Sequence, residues 1–174
     1  MNTIIIVQAR LGSKRFPRKI LTKINKKTLL EILILRLKKI KNVDKIIIAT
    51  TKKKEDKVIC NIASKLNVEY FRGHEKNVLK RYYSAAIKFK AKTIIRVTAD
   101  CPLVDFKILS KNITKFKKSK YDYLSNTLIP TFPDGLDFEI FDLKTLSSTL
   151  NYVKLDFDKE HVTTFIKRNP SLFK

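Results

Sequence analysis

The chain has 174 residues, 44% of them hydrophobic, which is enough for one domain to bury a core without disulfide or metal staples. Only Cys60 and Cys101 are present, in unrelated contexts, which excludes a disulfide framework and a CxxC-type zinc site and leads to the expectation of a reducing, cytoplasmic setting. A formal net charge of +22 invites a nucleic-acid reading, but the 30 lysines outnumber the 8 arginines and are scattered over every expected helix, with no RNP-type strand, zinc finger or recognition helix, so no specific nucleic-acid partner is expected.

Residues 3–8 form a continuous apolar run, as in a strand buried on both faces. That run is too short for a signal peptide or a membrane span, so no membrane association is expected. After a polar loop, Leu29, Leu30, Ile32, Leu33, Leu35, Leu37 and Ile40 give a helix with a broad apolar face. Residues 45–49 read as a second buried strand, 56–66 as a helix, 68–71 as a short strand and 77–89 as a further helix. Residues 93–98 are a fourth strand, and Asp105 is placed to cap a helix that runs to about 118. Beyond it, 121–125 and 136–141 read as strands flanking the turn-rich stretch 130–135, followed by helices near 143–150 and 159–167. Such alternation predicts a single α/β domain over 1–174 with a mostly parallel sheet and helices on both faces. Ligands of such sheets bind beyond the carboxyl ends of the strands, where the unusual polar motifs of this chain fall.

The first motif follows the first strand. Arg10, Lys14, Arg15 and Lys19 cluster around Gly12 in a chain with only 3 glycines. A glycine lets backbone amides approach an anion closely, and the cations neutralise a polyphosphate; the alternative is a solvated basic turn. The second motif, Arg96-Val97-Thr98-Ala99-Asp100-Cys101-Pro102-Leu103-Val104-Asp105, sets Asp100 at a strand end, either to hold a divalent cation or merely to close the turn, while Asp105 reads as a helix cap. The third places Asp134, Asp137 and Glu139 within six residues: Asp134-Gly135 is turn chemistry, whereas Asp137 and Glu139 fall on one face of a strand, able to share a sugar or a cation. In the fourth, Asp158 reads as a helix cap, and Glu160 and His161 follow it within the helix.

The ordered set resembles the cytidylyltransferase family that includes the spore coat polysaccharide biosynthesis protein F group and is related to the acylneuraminate and 3-deoxy-manno-octulosonate cytidylyltransferases. It comprises Gln8-Ala9-Arg10, Gly12-Ser13, Arg15, Pro17 and Lys19; then Ala49-Thr50-Thr51 and Glu55-Asp56. Phe71-Arg72-Gly73, Val78-Leu79 and Arg81-Tyr82-Tyr83 come next, followed by Thr98 to Asp105. Tyr121-Asp122-Tyr123 with Ser125-Asn126, Thr131 to Glu139, and Glu160-His161-Val162-Thr163 complete it. The match runs end to end.

The resemblance implies a Rossmann-like GT-A-type nucleotidyltransferase fold and an enzyme that uses CTP and Mg²⁺ to make a CMP-activated sugar for surface polysaccharide or glycan biosynthesis. It implies catalytic roles for Arg15, Lys19 and Asp100, with Asp100 the metal ligand. Nucleotide binding would fall to Ala9, Arg10, Gly12, Ser13, Lys14 and Arg72, and the sugar to Asp137, Glu139, Glu160 and His161. Homodimers are common among such relatives. The sequence departs from the family pattern at His74, Asn77, Lys80 and Ala99. It also lacks the V-D-x-P-E-D-L segment that follows the Glu-His-Val-Thr helix in the family and carries its second metal-binding aspartate. Three expectations follow: a partner chain supplies that carboxylate, one of Asp134, Asp137 and Glu139 does, or the chain is a fragment that binds nucleotide with impaired turnover. A related GT-A-like sugar-nucleotide enzyme, either a nucleotidyltransferase using another base or a glycosyltransferase, is the alternative within enzymes.

Overall fold

A computed structural model describes residues 2–13, 16–129 and 132–174. The expected roles of Lys14 and Arg15, and the first two residues of the turn-rich stretch, Pro130 and Thr131, therefore lie outside the described residues. Strand β1 (Thr3–Gln8) is central to a six-stranded sheet in the order β5-β4-β1-β6-β8-β7, comprising β4 (Lys45–Thr51), β5 (Glu69–Gly73), β6 (Thr93–Thr98), β7 (Tyr123–Ser125) and β8 (Glu139–Asp142). The β5-β4-β1-β6 portion is parallel; β8 runs antiparallel to β6, and β7 antiparallel to β8.

The apolar run of β1 is explained by its two covered faces. Ile5 and Val7 join a core with α1 (Leu29–Leu37), α2 (Lys57–Lys65) and α4 (Phe106–Lys118); Ile4 and Ile6 join the opposite core with α3 (Val78–Lys88), α5 (Leu143–Tyr152) and the C-terminal helices. Side chains alternate across a strand, so only a wholly apolar sequence satisfies both layers. Register then fixes the site, because Gln8 stands opposite both Ala49 and Thr98 and brings the ends of β1, β4 and β6 to one edge.

Several elements differ from expectation for local reasons. The polar loop after β1 contains a short hairpin, β2 (Lys23–Ile24) and β3 (Lys27–Thr28), whose turn residues Asn25 and Lys26 have φ of 47° and 68°. Paired left-handed residues match the twist of a two-residue hairpin. Thr28 and Glu31 form a reciprocal capping box that starts α1, and the helix ends at Leu37, three residues before the still-buried Ile40. Strand β8 begins at Glu139, so Asp137 precedes the strand instead of lying within it. The expected helix over 159–167 is two helices, α6 (Asp156–His161) and α7 (Thr164–Arg168), broken at Val162 with φ of 65°. Asp158 does not cap: it is buried within α6 and accepts hydrogen bonds from Arg168 Nη2 at 2.6 Å and Thr164 Oγ1 at 2.6 Å. A long-range guanidinium partner outcompetes the local helix amides for this carboxylate.

Candidate active site

The loop after β1 is held from beneath. Ala9 N donates to Ala49 O at 3.2 Å, and Ala99 N to Gln8 O at 2.9 Å, extending the register past the strand ends. Leu11 N donates to the buried Asp56 carboxylate at 2.8 Å, whose other oxygen accepts from the Thr51 hydroxyl. Leu11 O in turn accepts from Ser13 N and Arg18 N at 2.8 and 3.1 Å. Asp56 thus ties the end of β4 to the basic loop. Gly12 has no positive φ, and a Cβ added there would meet nothing within 4 Å. Among the described residues, neither backbone conformation nor packing requires a glycine at that position.

Above these strand ends lies a cleft of about 1110 Å³, lined by Ala9, Arg10, Gly12, Ser13, Lys19, Asp100, Glu160 and His161 among others. Expected nucleotide, metal and sugar residues thus line one cleft. Three of its cations are paired: Lys19 Nζ with Asp100, Arg10 with Glu160 at 2.9 Å, and Lys53 with Glu75 at 2.7 Å. Burial opposes ionisation of Asp100, but hydrogen bonds from Lys19 and Thr98 and the Lys19 charge hold its carboxyl below the usual range. Partly exposed pairs of this kind contribute little stability, so a polyanion can displace the carboxylates at small cost and take over the cations.

Among the described residues no group of three or more His, Cys, Asp or Glu is arranged to hold a metal ion. Asp100 lines the cleft as a carboxylate at a strand end, a donor that fits a hard cation which takes one or two carboxylates and completes its shell with water and phosphate oxygens. Of the three acidic residues expected to offer a second carboxylate, Glu139 is committed elsewhere. Asp137 has no side-chain hydrogen bond or ion pair among the described residues. Its carboxyl is pushed up by burial and by the charges of Asp134 and Glu139, with a smaller contribution from Asp100.

A second pocket of about 250 Å³ adjoins the cleft through the shared residues Arg96 and Thr98, and is lined also by Asp137, Glu139, Thr127 and Lys167. Its centre is Glu139, which pairs with Arg96 and with Lys167 at 3.0 Å and accepts from Tyr123 Oη at 2.5 Å and Thr163 Oγ1 at 2.6 Å. Burial would raise this carboxyl, yet the two cations and two hydroxyls pull it down to about 2. Burial likewise opposes the charge on Arg96, but Glu139 raises its guanidinium above the ordinary value. Glu139 and Asp137 therefore line the same pocket with different freedom: the first is saturated, the second open.

Arg72 does not line the cleft; it donates to Thr51 O at 3.0 Å and Lys53 O at 2.9 Å and braces the segment after β4. Glu160 and His161 face the large cleft and not the small pocket that holds Asp137. Sequence reasoning assigned no site role to Asp56, Arg96 or Lys167. For Arg96 the available signal was a lone charge inside an otherwise apolar strand, Thr93–Thr98, where an unpaired cation is costly.

Comparison with known proteins gives consistent matches. A cytidylyltransferase family model matches residues 4–174. An uncharacterized protein of Methanocaldococcus jannaschii is 42% identical over 174 residues, covering 100% of this chain and 70% of that protein. The spore coat polysaccharide biosynthesis protein SpsF of Bacillus subtilis is 34% identical over 180 residues, covering 100% and 74%. Among solved structures, a cytidylyltransferase from Leptospira borgpetersenii superposes with a TM-score of 0.94 at 33% identity, over 99% of this chain and 74% of that one. A CMP:2-keto-3-deoxy-manno-octonic acid synthetase solved with CTP gives 0.76 at 14% identity, over 99% and 88%, a likeness of fold. No helix among the described residues is long and apolar enough to cross a membrane.

Proposed function

This chain belongs to the cytidylyltransferase family, and from that premise we propose that residues 1–174 form a single domain that transfers CMP from CTP to a sugar hydroxyl, releasing pyrophosphate, for surface polysaccharide or glycan biosynthesis. The observation that carries the reading is the joined pair of pockets: a large cleft walled by Arg10, Gly12, Ser13, Lys19 and Asp100, adjoining at Arg96 and Thr98 a small one whose Asp137 has no ion pair among the described residues. The triphosphate occupies the large cleft, where Arg10 and Lys19 exchange their carboxylate partners for phosphate oxygens. The sugar occupies the small pocket, where Asp137 accepts hydrogen bonds from its hydroxyls. SpsF, by its name, serves spore coat polysaccharide biosynthesis, which supports the glycan context.

In the reaction a sugar hydroxyl oxygen bonds to the α-phosphorus in line and gives up its proton to water, the bond from that phosphorus to the bridging oxygen breaks, and pyrophosphate departs with the bonding electrons. Positioning and fixed charge supply most of the acceleration, because phosphoryl chemistry asks for no covalent help from the protein. Asp100 is the residue that would hold Mg²⁺, with Asp137 of the adjoining pocket a candidate for a second carboxylate, and the ion's charge would neutralise phosphate oxygens. The Lys19–Asp100 pair holds both groups in place before nucleotide arrives, and Lys19 can exchange that carboxylate for a phosphate oxygen.

The test is pyrophosphate release with each nucleoside triphosphate, Mg²⁺ and a panel of keto-sugars. Release with CTP is expected; none with any triphosphate refutes the proposal, and CTP binding without release identifies a nucleotide-binding protein instead. Lys19→Ala is expected to weaken CTP binding by roughly 1.5–3 kcal/mol, the range of a charge-assisted hydrogen bond, measured by titration calorimetry.

A further inference from the structure

Arg81 is the largest fully buried side chain of the protein, yet it forms no ion pair with any described residue, and its Nε and Nη2 have no hydrogen-bond partner there. Burial lowers its guanidinium to about 10, still charged at neutral pH. A buried, uncompensated cation is costly, and unsatisfied buried donors in a folded protein call for an explanation. The only hydrogen-bond partners of the Arg81 side chain among the described residues are two main-chain carbonyls: Nη1 donates to His74 O at 2.6 Å and Glu75 O at 3.2 Å. The backbone makes room for it, since a Cβ on Gly73 would stand 2.9 Å from Arg81 Cγ and 2.6 Å from Phe71 Cε1.

The consequence lies on the other side of those peptide groups. None of the peptide bonds is cis, and in a trans peptide the N–H points opposite to the C=O. With the carbonyls of His74 and Glu75 drawn inward to Arg81, the amides of Glu75 and Lys76 are turned the other way, on two residues that line the large cleft. Neither amide has a hydrogen-bond partner among the described residues. The neighbouring amide of Asn77 is taken by His74 Nδ1 at 2.9 Å, and Asn77 Oδ1 caps α3 at Lys80 N, so the segment is fixed at both ends.

Two adjacent N–H donors match two adjacent acceptors. Cytosine offers such a pair in its carbonyl oxygen O2 and ring nitrogen N3, whereas uracil carries a hydrogen on N3 and would set donor against donor. A site built to pair a ligand's polar groups rejects the isostere that leaves them unpaired. We infer that Arg81 is a positioning residue for base recognition: buried beneath the 74–76 segment, it orients the Glu75 and Lys76 amides toward the cytosine edge and so favours CTP over UTP. The inference rests on the reading of the large cleft as the CTP site.

The experiment compares CTP and UTP binding by titration calorimetry for the full chain and for Arg81→Met, Arg81→Lys and Gly73→Ala, with thermal unfolding of each. The wild type is expected to prefer CTP. Arg81→Met should lose about tenfold in CTP affinity, as for one weakened hydrogen bond to the base, with UTP affinity less affected, so that the preference narrows. Arg81→Lys, which keeps the charge but not the planar fork, should narrow it too. Gly73→Ala disturbs Arg81 from the other side and serves if the Arg81 variants do not fold. Amide signals of Glu75 and Lys76 are expected to shift with CTP and much less with UTP. Folded variants with an unchanged CTP-to-UTP ratio overturn the role of Arg81 while leaving the cleft assignment intact. A wild type that binds no CTP overturns both.

Discussion

Replacing Glu139 with Gln isolates the centre of the small pocket with little change of shape. The side chain is buried and paired to two cations, Arg96 and Lys167, and it accepts from two hydroxyls. Two routes give the cost. A carboxyl drawn from its ordinary 4.5 down to about 2, at about 1.4 kcal/mol per pH unit, stabilises the folded state by about 3 kcal/mol at neutral pH. Removing one partner of a buried ion pair costs about 3–5 kcal/mol, because the remaining charge is left without its counter-ion. For a chain of this size about 3 kcal/mol corresponds to a Tm lower by roughly 6–12 °C. The pH dependence has a definite sign. The folded-state pKa is depressed, so the Glu139 contribution is complete above about 4.5 and is lost as pH falls toward about 2. Urea unfolding of wild type and Glu139→Gln at pH 7 and at steps down to pH 2.5 should show a gap of about 3 kcal/mol that narrows through the acid range. A gap below about 1 kcal/mol at pH 7, the magnitude of an ordinary exposed pair, or a gap that stays constant with pH, would refute the ion-pair account.

Two further substitutions probe the basic loop. Gly12→Ala should leave stability unchanged or raise it by up to about 1 kcal/mol, since no positive φ and no neighbouring atom resists a Cβ. CTP affinity should nevertheless fall by about tenfold if phosphate oxygens approach that backbone; equal affinity by calorimetry would remove Gly12 from the site. Asp56→Ala leaves the Leu11 amide and Thr51 hydroxyl without their acceptor, so a loss of about 2–4 kcal/mol in urea unfolding is expected, together with weaker CTP binding. Normal stability in that variant would show that Asp56 does not hold the loop.

The strand–helix alternation was legible because burial on both faces of a parallel strand leaves a sequence no freedom but to be apolar, and residues 93–98 are a strand as read. The ends of elements were less legible, since capping and turn conformations are settled by a few side chains. Thr28 with Glu31 starts α1 one residue after a hairpin that periodicity does not reveal. Asp158 looked like a cap because an aspartate before helix-forming residues ordinarily is one; Arg168, ten residues on, claims it instead.

The sequence by itself determined the sheet, the loops at its carboxyl edge and the ordered motifs that mark the family, because these depend on local pattern and residue order. Only the tertiary structure decided how the acidic and basic residues divide their work. Glu139 and Asp137 are two residues apart, yet one is saturated by Arg96 and Lys167 and the other is open, for the cations come from β6 and α7. Arg81, in the sequence one cation of a helix that also carries Lys80 and Lys88, is buried beneath the segment that lines the cleft. Charge pairing in a folded chain is set by distance and burial, and neither is written in the spacing of residues along it.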